Sequence, residues 1–208
     1  MIKFFRLSIT YVVAFILATF LFYLQFPFFV VILTILVFLL AFVVLPQIFI
    51  VYRSNNEKSI EKYLMANKKK PLFAYPLALA HGNDAEVETS LRVILEKHKQ
   101  PYMQNVYKTI LALHLKNIDA ADTYAKKIDS DPLKSYYAAY IAAKKGDFEE
   151  AERQEETISV DWMLHALHAL YAFEQGNQDM YTIESKKAID GSRGVQKYIV
   201  IHSLKHHM

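Results

Sequence analysis

Between Arg6 and Arg53 the chain carries no charged residue, and this gap constrains its folding more than any other feature. A helix of about 20 apolar residues crosses the hydrocarbon core of a bilayer. The gap is roughly twice that length, too long for one straight span. Gln25-Phe26-Pro27 interrupts it with a polar residue followed by a proline suited to starting a helix. The pattern predicts a transmembrane hairpin over 1–53, with helices at about 7–24 and 28–52. Pro46 is expected to kink the second helix near its end.

Lys3 and Arg6 precede the first apolar segment, a basic run follows the second, and the connection is uncharged. The positive-inside rule then predicts a multi-pass protein of the cell membrane with both termini cytoplasmic. A cleavable signal peptide fits less well, because the first apolar segment is long and no small-x-small site precedes the second. Thr10, Ala14 and Ala18 share a face of the first helix, and Thr34 and Ala41 share a face of the second. Small residues let helices approach closely in lipid. They serve either to pack the hairpin on itself or to dock another membrane protein. With no Asp, Glu, Lys, Arg or His in these segments, ion transport and intramembrane catalysis are not expected.

The segment 54–70 predicts a basic helix beside the membrane, opened by Ser54 and Glu57 in a capping-box pattern. Arg53, Lys58, Lys62, Lys68, Lys69 and Lys70 are placed to meet anionic lipid headgroups, or they set topology alone. The net charge of +3 is too small to suggest nucleic acid, and the absence of cysteine excludes disulfides and thiolate zinc sites.

Residues 71–208 carry an internal pattern. Turn residues stand at Gly82-Asn83, Lys116-Asn117, Gly146-Asp147 and Gly176-Asn177, at intervals of 34, 30 and 30 residues. Four positions before each turn comes an alanine: Ala78, Ala112, Ala142 and Ala172. Three before come Leu79, Leu113, Ala143 and Phe173. Five after come Val87, Ala121, Ala151 and Tyr181, and twelve after come Ile94, Ile128, Ile158 and Ala188. Glycine closes a helix in the left-handed conformation at little cost, and Asn or Asp beside it caps the next helix. A single helical hairpin cannot bury its own apolar face, whereas stacked hairpins can. Ser192 is expected to cap a last helix with Val195, Tyr198, Ile199 and Leu204 on its buried side.

With these columns the sequence resembles the tetratricopeptide repeat (TPR) family over roughly residues 68–191. Ala139, Gly146-Asp147-Phe148, Ala151 and Ile158 match in the third unit, and Ile118, Ala121, Ala125, Ile128 and Pro132 in the second. Lys116, Glu155 and Tyr181 depart from the family pattern, and two intervals are shorter than its usual 34. The resemblance implies an all-α protein: the hairpin followed by an α-solenoid of about four TPR-like helical hairpins, which binds a protein or peptide. It places Met103, Val106, Ile110 and Leu113 in a concave groove. Leu133, Tyr136, Tyr140 and Ala143 join them from the third unit, and Met163, Ala166, Leu170 and Phe173 from the fourth. An apolar peptide or amphipathic helix suits this lining. A terminal helix of the chain itself would fill it equally well.

No phosphate loop, nucleophile-base arrangement or paired-carboxylate pattern is present, so no enzyme activity, cofactor or small-molecule substrate is expected. His165 and His168 share a helix face, but the linear sequence supplies no converging set of further ligands, so no metal site is expected. His206 and His207 are expected to form a polar tail. The functional expectation is a membrane-anchored adaptor. The alternative is a constitutive structural subunit of a larger membrane complex, docking through the hairpin.

Overall fold

The computed structural model describes residues 2–81 and 83–205, with side chains from Ser8 onward. Gly82, His206 and His207, and the side chains of Lys3 and Arg6, lie outside the described residues. All regular structure among the described residues is helical. The chain divides into two compact units, Met1–Ser54 and Asn55–Met208.

The first unit contains α1 (Ile2–Tyr23), α2 (Phe28–Leu39), a π-helical turn (Leu40–Val44) and α3 (Leu45–Tyr52). Gln25 takes φ +57° and Pro27 caps α2, so the chain reverses where the polar residue and proline predict. Phe28–Tyr52 is long and apolar enough to cross a membrane, while the apolar helix Ser8–Tyr23 is shorter. Pro46 stands in the first turn of α3, directly after the π-helical turn. Its missing N–H coincides with a switch to π geometry, in which Leu45 N–H donates to the carbonyl five residues back, Leu40. Ala14 and Val31 are buried where α1 packs on α2. Thr10, Ala18 and Thr34 are half-buried, and Ala41 is exposed within the π turn. Polar side chains here bond to their own helix: Thr34 Oγ1 donates to Val30 O and Gln47 Nε2 to Val43 O. Most large apolar side chains remain exposed, Phe15 and Phe29 by 73% and 75%.

The second unit opens with α4 (Glu57–Ala66) and continues through four helical hairpins. These are α5 (Pro71–His81) with α6 (Asp84–Lys97), and α7 (Pro101–His114) with α8 (Ile118–Ala125). Then come α9 (Leu133–Lys144) with α10 (Phe148–Glu155), and α11 (Asp161–Glu174) with α12 (Gln178–Gly191). A last helix, α13, spans Gly194–Lys205. Two expected caps move. Asn56, not Ser54, caps α4 by accepting from Ser59 N–H, because it stands immediately before the first helical residue. Ser192 closes α12 and donates to Ile189 O, and α13 begins at Gly194, which takes φ +59°.

One turn geometry closes three of the hairpins. Lys116, Gly146 and Gly176 take φ +57°, +81° and +72°. Their N–H groups donate to carbonyls three residues back, at Leu113, Ala143 and Phe173. The following Asn117, Asp147 and Asn177 N–H groups donate five residues back, to Ala112, Ala142 and Ala172. This is the Schellman pattern, which uses up carbonyls orphaned at the helix end. The same Asn or Asp side chains, and Asn83, then accept from the backbone N–H three residues on, capping the next helix. The alanine column is buried at all four positions, and so are the columns five and twelve residues after the turns. The column three before the turns is mixed: Ala143 is buried and Phe173 is exposed.

Candidate functional site

The first helices of the hairpins meet through aromatic rings. Tyr75 on α5 stands edge-on to Tyr107 on α7, with centroids 6.4 Å apart. On α9, Tyr136 lies 5.4 Å from Tyr137, 6.3 Å from Tyr140 and 6.5 Å from Trp162 of α11. Burial drives the hydroxyls of Tyr75, Tyr136 and Tyr137 upward in pKa, with the neighbouring tyrosines adding to the effect. Burial and the Glu174 carboxylate push Tyr140 up to about 12. By exposed area Tyr75 is buried, and Tyr136, Tyr137 and Tyr140 are half-buried.

The residues expected to line a groove separate by surroundings. Met163 and Leu170 are buried in a cluster with Ala139, Ala143, Ala151 and Leu167, against which Leu133, Tyr136 and Tyr140 pack. Val106 is buried, Met103 and Ile110 are half-buried, and Phe173 is 37% exposed. Ile110 packs on the core formed by Tyr75, Val87, Leu91 and Ile94.

The last helix, α13, meets both ends of the row. It packs on α4 and α5 at one end of the row of hairpins and on α12 at the other. Ile199 joins the Tyr75 core, while Val200 and Leu204 join the core of Ala166, Ala169 and Tyr181. The Tyr181 hydroxyl donates to Leu204 O. Tyr198, Val200, Ile201 and Leu204 are all buried, so the helix is enclosed on more than one side. Its apolar run, Tyr198-Ile199-Val200-Ile201, carries this signal in the sequence. The His202 ring lies 4.5 Å from Tyr198, with Nε2 3.4 Å from Glu57 Oε1 on α4. Burial and Lys205 lower the His202 pKa, outweighing the opposing pull of Glu57 and Glu61.

The basic residues expected at the headgroups, Arg53, Lys58, Lys62, Lys68, Lys69 and Lys70, are all exposed. Elsewhere the fold creates a polar cluster that the linear sequence did not reveal. Glu155 at the end of α10 and Glu184 on α12 converge on His165 and His168 of α11. In the sequence the cluster showed only as two histidines on one helix face and a carboxylate at a usually aromatic position, Glu155. No family model, curated protein or solved structure matches the chain.

Proposed function

We propose that the protein is a membrane-anchored adaptor without enzyme activity. Its two N-terminal helices form a transmembrane hairpin with both ends in the cytoplasm. Its TPR-like domain, a short α-solenoid of helical hairpins, engages a protein or peptide partner, and the exposed lysines after the hairpin meet anionic headgroups. One observation carries the anchoring: α2 and α3 expose nearly all of their apolar side chains within their own unit, which water would penalise and lipid would not. The test is a topology map. A reporter fused after Met208 and a second placed between Gln25 and Pro27 should give cytoplasmic and extracytoplasmic signals respectively. A cytoplasmic signal from both would remove the hairpin.

One observation favours a second reading, a constitutive subunit that docks through its membrane helices. Val200 and Leu204 of α13 pack in the cluster that holds Ala166, one of the residues expected to line a groove. Partner capture from membranes separates the two. The adaptor retains its partner when the hairpin is replaced by an unrelated two-span anchor, whereas the subunit loses it.

A further inference from the structure

His165 and His168 stand one helical turn apart on α11, and Glu184 of α12 faces both. Glu184 Oε2 lies 2.7 Å from His165 Nδ1 and 3.8 Å from His168 Nδ1. One ligand atom from each of the three residues falls within 4.8 Å of the others. Zn–N and Zn–O bonds of about 2.0–2.1 Å at tetrahedral angles place neighbouring ligand atoms about 3.3 Å apart. The cluster brackets this spacing and needs only sub-ångström side-chain shifts to meet it at the carboxylate.

We propose that His165, His168 and Glu184 bind one divalent zinc ion, joining α11 to α12. The donor set, two imidazoles and one carboxylate, suits a first-row divalent metal of borderline softness and is poorly matched to calcium or magnesium, which favour oxygen ligands. The surrounding groups are arranged as they are around metal-binding histidines. Glu155 Oε1 lies 3.1 Å from His168 Nε2 and accepts its N–H, which leaves the lone pair on Nδ1, the nitrogen facing Glu184. The Tyr171 hydroxyl holds the other oxygen of Glu155 at 3.1 Å. Lys187 Nζ takes Glu184 Oε1 at 2.7 Å, so Oε2 is the oxygen turned to the histidines. His165 now donates Nδ1–H to that oxygen, and on binding it takes the tautomer protonated at Nε2. Glu184 is 6% exposed, while His165 and His168 are 32% and 41% exposed. The ligands are thus anchored from the inside with an open path for the ion, and water completes a four-coordinate shell.

Calorimetric titration of the full chain in detergent with zinc chloride tests this. The expected result is one ion per chain. H165Q and H168Q should each weaken binding by at least about tenfold, and E155Q by about 10- to 100-fold. A H206Q/H207Q chain should bind as the wild type does. Zinc-edge X-ray absorption on the wild-type chain needs no substitution in the site and should report two imidazoles bound to the metal. Absence of binding at about 100 μM zinc would overturn the site, as would stoichiometric binding that survives H165Q/H168Q. So would loss of binding in H206Q/H207Q, or a spectrum with fewer than two imidazoles.

Discussion

Replacing Tyr136 by alanine tests whether the tyrosine-rich surface is open or covered. An exposed groove residue awaiting a partner contributes little to folding, typically within about 0.5 kcal/mol. Tyr136 is instead surrounded. Tyr137, Tyr140 and Trp162 lie within 6.5 Å, and it packs on both the Met163–Leu170 core and the core that includes Val200 and Leu204 of α13. Truncating a large core aromatic to alanine costs about 3–5 kcal/mol, and a half-buried ring belongs at the low end, near 3 kcal/mol. At about 2–4 °C per kcal/mol for a domain of this size, the melting point should fall by about 6–12 °C. The single tryptophan, Trp162, lies in the second unit, so its fluorescence follows that unit alone while the N-terminal helices remain in detergent. Phe173→Ala is the matched control, since Phe173 shares the expected groove but is exposed. Equal, small losses in the two variants would refute the covered surface and return Tyr136 to an open groove.

Two further outcomes follow from local geometry. Lys116 holds φ +57° in a turn where its counterparts are Gly146 and Gly176, so Lys116→Gly removes a left-handed penalty of about 1–2 kcal/mol. After the added freedom of the unfolded chain, the midpoint of urea unfolding should rise by an amount equivalent to about 0.5–1 kcal/mol. His202 has a lowered pKa in the fold, so the unfolded chain binds the proton more readily. Its contribution is full above the ordinary histidine value of about 6.5 and is lost as the pH falls below it. Thermal melts across this range should show an acid-side loss that His202→Phe reduces, with Glu57, Glu61, Tyr198 and Lys205 as the groups facing the ring.

The parts of the fold legible in the sequence are those controlled by local chemistry. The Gly-Asp and Gly-Asn turns, the buried alanines before them and the apolar column at Ile94, Ile128 and Ile158 all declare themselves within a few residues. Even Lys116 was readable as a turn residue, because Asn117 still caps the helix that follows. Two features were not legible, and both depend on tertiary approach. Val195, Tyr198, Ile199 and Leu204 were expected on one buried side of α13; Tyr198 and Leu204 are buried, Val195 and Ile199 only half-buried, and Val200 and Ile201 are buried where the helix meets elements from both ends of the row. Glu155 and Glu184 lie 29 positions apart in the chain, and only the packing of α10 and α12 on α11 gathers them around the two histidines. The caps expected at Ser54 and Ser192 failed for a smaller reason, a displacement of one or two residues in where a helix begins.

A row of hairpins that touch only their neighbours unravels from its ends, and its stability is a sum of local contributions. α13 alters this, because it joins the first hairpin's side of the row to the last. Opening either end now strips contacts from the other, so unfolding of the second unit is expected to be more cooperative than that of an open row. The closing contacts also span most of the unit's length, from Glu57 to His202, and form only after the final helix has been synthesised. A chain lacking residues 194–205 is therefore expected to expose Tyr181, Ala166 and Ala169, against which Val200 and Leu204 pack.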